Sequence, residues 1–360
     1  MKDLRIADNK ALANASATAR SKKKTLIVIH VLSPNDFRAH RRAPRRIDFV
    51  LRNLKMLKAD LNEICIPLYV FSVQPRKSLP EKVVAFAKEI QASHIYANIE
   101  YEVDELRQLT SVYKLAKEKG IQASFLHDYG VVQPGKVATK QGKPYSVWSP
   151  FYRSWSELLQ SHPSDYLDEA PPPEANPESV YKEAKFRKLF DTPVPEFVEG
   201  FSIDEADHMR MDKWWPAGEK AAHACLSRFI QDKATDAADE DEEIVSRKQD
   251  TKPANLVKTQ EHNPVLHTKE QDRKARSMIS EYNKDRSRPD ADGTSRLSPY
   301  LAAGVISIRA CVRATLPFSK NRIQTEKSTA IGTWISEVSW RDVSRVRRFE
   351  ILFANHGLPY

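Results

Sequence analysis

The chain lacks several of the usual pointers to location and chemistry. No apolar run approaches the roughly eighteen residues of a membrane span. The first twenty residues are polar, with no apolar signal-peptide core. Only three cysteines occur, Cys65, Cys225 and Cys311. They lie far apart in apolar or helical contexts, which excludes a zinc-ligand spacing and fits reduced, buried thiols in an intracellular protein. Glycine is scarce, at 10 of 360 residues. Neither Gly-x-Gly-x-x-Gly nor Gly-x-x-x-x-Gly-Lys-Ser/Thr is present, so two common nucleotide-binding fingerprints are excluded. No internal repeat is evident.

What is present is an alternation of strand-like and helix-like patterns over the first 150 residues. Thr25–Leu32 is a continuous apolar run of strand length, as expected for a strand covered on both faces. Ile66–Val73, Ser93–Ala97 and Ala123–His127 are further β-rich runs. Between them, Ile47, Val50, Leu51, Leu54, Leu57 and Leu61 recur at helical spacing. Pro80 opens a helix with Val83, Val84, Ala87 and Ile90 on one face. Val103, Leu106, Leu109, Tyr113 and Ala116 mark another, with Gly120 placed to end it. Strands alternating with helices predict an α/β domain over residues 1–160, with a parallel, doubly wound sheet.

Residues 161–200 are polar and proline-rich, with Pro171-Pro172-Pro173, and are expected to link two domains. From about Phe201 onward helical patterns dominate and predict an all-α domain over 201–342. Within it, 234–270 is acidic and then polar, beginning with the block Asp236–Glu243, and is expected to be a flexible insertion. The net charge of +9 is uneven, and residues 271–360 carry 16 Lys+Arg against 9 Asp+Glu. Such a surplus suits a phosphate-rich partner, although most Lys and Arg simply solvate a surface.

Two stretches carry chemistry. In Gly293–Leu301, Thr294, Ser295 and Ser298 offer hydroxyls and backbone N–H groups on a turn that enters a helix, with Pro299 in its first turn. Clustered donors of this kind suit a pyrophosphate, and an ordinary helix start is the alternative. In Trp334–Asp342, Trp334, Glu337 and Arg341 fall on one helical face, with Trp340 beside it. Two indoles next to a carboxylate and a guanidinium can stack on planar rings and bond their edges. A helix with buried tryptophans and a local Glu–Arg pair is the alternative.

Taken in order along the chain, these stretches resemble the DNA photolyase/cryptochrome family, and most of all class I cyclobutane pyrimidine dimer photolyases, fungal members in particular. Gly293-Thr-Ser-Arg-Leu-Ser-Pro-Tyr-Leu-Ala-Ala-Gly304, followed some thirty residues later by Trp334-Ile-Ser-Glu-Val-Ser-Trp-Arg341, is similar to that pattern. Lys2–Asn9, Asn98–Glu105 and Tyr145–Phe151 resemble further family segments. The resemblance implies FAD as cofactor, with Tyr282, Thr294, Ser295, Arg296, Leu297 and Ser298 at its phosphates and Trp334 and Arg341 along its rings. It implies that Glu337 hydrogen-bonds an extruded pyrimidine dimer and that Trp340 packs against it. Arg286, Glu337, Trp340 and Arg341 would contact UV-damaged DNA. The implied reaction splits the dimer by electron transfer from excited reduced flavin. Asp104 and Glu105 match folate-contacting positions of some members, so an antenna chromophore, folate or deazaflavin, is implied. An acidic pair at a helix start is the alternative. No metal is implied. The expected state is an intracellular monomer, nuclear in a eukaryote, with no membrane partner.

Two departures from the family pattern set further expectations. The family carries a strand before Asp-Leu-Arg, whereas here Met1 stands where that strand would have finished. After Trp340-Arg341-Asp342 the family continues aromatic and helical, whereas residues 343–360 form a divergent tail. The sheet is therefore expected without its first strand and the FAD-binding domain is expected to be incomplete, as in a coding sequence cut at both ends. Such a chain alone is expected neither to retain flavin stoichiometrically nor to repair dimers under blue light. A cryptochrome-type flavin photoreceptor and a non-catalytic remnant are the competing functions, and Glu337 and Trp340 favour repair.

Overall fold

The computed structural model describes residues 3–231 and 277–356, with side chains described as far as Ser344. The predicted insertion at 234–270 lies outside the described residues. All four predicted strands form, each five residues long: β1 Val28–Leu32 and β2 Leu68–Ser72 are shorter than expected, and β3 His94–Asn98 and β4 Gln122–Leu126 are each shifted by one residue. Helix α1 (Lys10–Ser21) precedes them. Helices α2 (Pro34–Ala39) and α3 (Pro44–Glu63) connect β1 to β2, α4 (Leu79–Glu89) connects β2 to β3, and α5 (Val103–Glu118) connects β3 to β4.

The strands pair in parallel, with Val28–Leu32 opposite Leu68–Ser72 and His94–Asn98 opposite Gln122–Leu126. Among the described residues these are two separate two-stranded sheets, so the predicted doubly wound sheet is divided between β1 and β3. Its double winding is visible in the side chains, which alternate across a strand. Val28, Leu32, Leu68 and Val70 pack with α3 on one face. Ile29, Val31, Phe71 and Val73 pack with α4 and α5 on the other. Just beyond the strand ends, Arg76 lies 2.9 Å from both Asp36 and Asp104. The carboxyl ends of β1, β2 and β3 therefore open to the same side.

Residues 161–200, expected as a linker, fold back on this layer. Val180 and, from α8 (Ala184–Asp191), Phe186, Leu189 and Phe190 pack against Ile27, Tyr69 and Phe86. Asn176 accepts from Leu26 N–H at 2.9 Å and donates to Leu26 and Cys65 carbonyls at 2.8 Å, replacing bonds a loop would give to water.

The second half is helical. It holds α9 (Glu205–Trp214) and α10 (Glu219–Ile230), short helices at Tyr282–Asp285, Ser298–Ala303 and Ile308–Arg313, and one long helix, Ala330–His356. That long helix carries the backbone on into the segment expected as a separate tail. Helix α6 (Trp148–Ser161) packs against it. Among the described residues, no helix is long and apolar enough to cross a membrane.

Candidate functional site

The Gly293–Ser298 turn is held by neighbours that are specific in size and polarity. A Cβ at Gly293 would lie 2.5 Å from the Cβ of Asp285, so only glycine lets the turn pass there. Arg296 adopts a left-handed φ of 54°, which reverses the chain before the Ser298–Ala303 helix. Its carbonyl accepts from Trp215 Nε1 at 3.2 Å, and that of Ser295 accepts from the Cys225 thiol at 3.1 Å. Leu297 is fully buried beneath. Thr294 and Ser298 are left exposed on this anchored loop, and Ser295 is half-buried. The Arg296 side chain turns elsewhere, 4.4 Å over the Trp214 ring and 2.9 Å from Asp292.

The long helix places its residues on three sides. Trp334, 4% exposed, lies behind Phe229 at 5.4 Å between centroids, and Phe229 in turn meets Tyr282 edge-on at 5.5 Å. Burial, and then the Glu337 charge, push the Tyr282 phenol above its ordinary pKa. Glu337 pairs with Arg286. Arg341 donates to the Leu301 carbonyl at 3.1 Å, tying this helix to the one that begins at Ser298. Trp340, 46% exposed, stacks on Trp148 at 4.8 Å and 7°. Trp148 continues the stack to Tyr152 at 4.8 Å, and Lys327 lies 3.7 Å over its ring. Of the predicted residues, Tyr282, Arg286, Trp334 and Glu337 come together around Phe229. Arg341 joins this group to the Gly293–Ser298 turn, and Trp340 stands on the Trp148 side.

Several residues that build the site have no local sequence signal. Asp342, 2% exposed, accepts from the Val131 and Val132 N–H groups at 2.9–3.1 Å and from Trp155 Nε1 at 2.8 Å. It fixes the rotation of the long helix and hence the aim of Glu337 and Trp340. Beneath the turn, Asp8 binds Arg309 at 2.7 Å and Arg313 at 3.0 Å, and Arg309 binds Asp128 at 2.6 Å. Arg5 completes this hub, pairing with Asp128 and donating to the Gly304 carbonyl at 3.2 Å. Burial raises the Asp8 pKa, but Arg309 and its hydrogen bonds outweigh it and hold the carboxyl below its ordinary value.

Asp104 and Glu105 lie apart from this group, beyond the carboxyl end of β3. Asp104 bonds Arg76 at 2.9 Å and approaches His40 at 3.7 Å. Glu105 lies 3.9 Å from Arg76, and its carboxylate clusters within 4.8 Å of Asp36 and His40. The Arg76 guanidinium supplies the positive charge of that cluster.

Residues 1–177 match the DNA photolyase family. The chain is 34% identical over 344 residues to the deoxyribodipyrimidine photo-lyase of Neurospora crassa, a match covering 94% of this chain and 48% of that protein. It is 28% identical over 343 residues to the deoxyribodipyrimidine photo-lyase of Vibrio cholerae, covering 95% of this chain and 58% of that protein. Among solved structures, its fold matches a class III photolyase from Agrobacterium tumefaciens with a TM-score of 0.66 at 18% identity, over 99% of this chain and 59% of that one. The chain thus spans about half the length of the curated relatives it matches.

Proposed function

We propose that this chain, similar to class I photolyases, forms the flavin-phosphate and lesion-facing portion of a light-driven cyclobutane pyrimidine dimer photolyase. In this reading residues 1–160 are the antenna domain and 201–342 the FAD-binding domain. The observation that carries the proposal is the junction of the two chemistry-bearing stretches. Arg341 bonds Leu301 on the helix that leaves the Thr294–Ser298 turn, and Glu337 and Arg286 pair beside Tyr282.

The donor set suits FAD. Two exposed hydroxyls and a half-buried third, on a loop anchored by Gly293, Leu297 and Cys225, match the need of a pyrophosphate for several short donors. Thr294, Ser295 and Ser298 would hold it, with Tyr282 beside them. Trp334 stiffens this wall from behind Phe229, and Arg341 sets its distance from the helix. When bound, reduced FAD supplies the photoexcited electron. The chain's own residues position the lesion. Trp340, backed by Trp148, offers a flat apolar face to an extruded pyrimidine pair. Glu337 offers a carboxylate to the edge of the bases once Arg286 is drawn to a phosphate of UV-damaged DNA. An antenna chromophore, folate or deazaflavin, belongs at Asp104 and Glu105, where it would share Arg76 with them.

The test is FAD titration by fluorescence quenching, together with binding of dimer-containing and undamaged duplexes. FAD affinity should fall at least about tenfold in the Thr294→Ala/Ser298→Ala double variant, as expected for two lost hydrogen bonds. Preference for dimer-containing DNA should vanish in Trp340→Ala. FAD binding that is indifferent to both hydroxyls would refute the assignment of the turn.

A further inference from the structure

We infer that Trp214 and Trp215 are positioning residues for the Gly293–Ser298 turn, and that helix α9, which presents them, is fastened by charge rather than by burial. With that turn read as the holder of a phosphate, as proposed above, these residues decide how firmly it keeps its shape. Both indoles act on one residue of the turn, Arg296. Its guanidinium lies 4.4 Å over the Trp214 ring, and its carbonyl accepts from Trp215 Nε1 at 3.2 Å. The carbonyl of Pro216, next in the chain, accepts at 2.7 Å from the hydroxyl of Tyr300, on the helix that leaves the turn. Arg296 is the residue that most needs such a grip. Its φ of 54° is unfavourable for a residue with a Cβ, and a backbone held there persists only where its surroundings over-determine it. Without the grip the chain relaxes toward negative φ, and the hydroxyls of Thr294, Ser295 and Ser298, on either side of Arg296, lose their fixed spacing.

No residue of α9 is buried, and Met211 packs only partly covered against the core. A helix without a buried apolar stripe is not held by the hydrophobic effect. Ion pairs to α3 hold this one instead. Arg45 meets the Asp207 carboxylate with two hydrogen bonds of 2.9 Å. Arg52 bonds Asp212 at 3.2 Å, and Asp48 holds both Arg52 at 2.9 Å and His208 Nδ1 at 3.0 Å. The Arg52 side chain, 10% exposed, also donates to the Trp215 carbonyl at 3.2 Å. A chain of contacts thus runs from α3 through Arg52 and Trp215 to the Arg296 carbonyl. The Arg45–Asp207 pair, at its outer end, is open to solvent and screened by salt, whereas Arg52 and Asp48 are screened far less. The shape of the turn therefore responds to charges on α3 and α9 that touch neither the turn nor its ligand.

The experiment uses the full chain and reads the turn without any ligand. Trypsin cuts after Arg296 only when that residue leaves its two indoles, so the rate of this cut in the native protein, followed by mass spectrometry, measures the opening. The rate is taken relative to the same cut in a peptide of residues 290–302. Trp215→Phe should hasten the cut about fivefold, as expected for one lost hydrogen bond. Trp214→Leu should hasten it about two- to fivefold through the lost cation–π contact. Arg45→Glu should also hasten it, and Asp207→Lys added to that variant should restore the slow rate. Potassium chloride should speed the cut in the native chain and slow it in Arg45→Glu, where it screens a repulsion. FAD affinity, titrated by fluorescence quenching, should fall wherever the cut is faster. In the Thr294→Ala/Ser298→Ala variant it should fall while the cut keeps its native rate, so indifference of FAD to these hydroxyls would refute the phosphate reading and not the positioning. A native rate in both Trp215→Phe and Arg45→Glu, or a fast cut that Asp207→Lys does not slow, would overturn the inference. If Trp215→Phe unfolds, the charge exchange between the exposed faces of α3 and α9 still decides it.

Discussion

His127 shows how burial fixes the charge of one side chain. Its ring is pushed down to about 4 by burial and then by the Lys10 charge, whereas in an unfolded chain it titrates near 6.5. Between these values the unfolded chain takes up a proton that the folded chain refuses, so stability is full above about pH 6.5 and falls as the pH drops toward 4. His30, buried and held well below its ordinary value by that burial, acts in the same direction. The loss from His127 should be on the order of 1–2 kcal/mol after allowance for its residual exposure. Urea midpoints at pH 7 and pH 5 measure it, and His127→Gln should flatten the fall. An unchanged slope would show that the ring is already charged in the folded protein. None of this was legible in the sequence, where His127 is only the last residue of a β-rich run. Trp340 was legible as a type, but its stack on Trp148 joins residues 192 positions apart by number, which no local pattern encodes. The same is true of Arg309, whose partner Asp8 is 301 residues away.

Among the elements, those with a wide apolar stripe were the readable ones. Helices α3, α4 and α5 bury the residues whose spacing predicted them, such as Leu54 and Leu61, Val83 and Val84, or Leu106 and Leu109. Helix α1 escaped notice because its buried residues are Ala11, Ala13 and Ser16, too small to mark a periodicity. It is capped by Asn9, which accepts from Leu12 N–H at 3.2 Å. The long helix was readable for its composition and not for its anchoring. Asp342→Ala would leave three donors, Val131 N–H, Val132 N–H and Trp155 Nε1, without their acceptor. The expected cost is about 3–5 kcal/mol. Thermal unfolding checks it, and a change below about 1 kcal/mol would mean that water replaces the carboxylate.

For the whole molecule, the +9 net charge makes polyanion binding the natural expectation, and the ion pairs set its size. Arg286 and Arg296 are already paired with Glu337 and Asp292, and Arg341 with a carbonyl. If the proposed function is right, DNA phosphates compete for these three guanidinium groups. Three neutralised phosphates give a slope of about −2.7 for log affinity against log salt, and Arg286→Gln should reduce it by about 0.9. Anisotropy titrations at several potassium chloride concentrations measure both. A slope near zero would remove the electrostatic basis of DNA binding.

The Asp8–Arg309 bond also carries a statement about time. On a ribosome adding about 5–20 residues per second, 301 residues take about 15–60 s to follow Asp8 out. Once β4 has emerged the four strands can already be paired, while Asp8 still waits for the guanidinium that neutralises it and Asp128 has only Arg5. Nascent chains halted before Arg309 therefore leave the Asp8 carboxylate without its buried partner, and the hub beneath the strands closes only when the helical part of the chain is made.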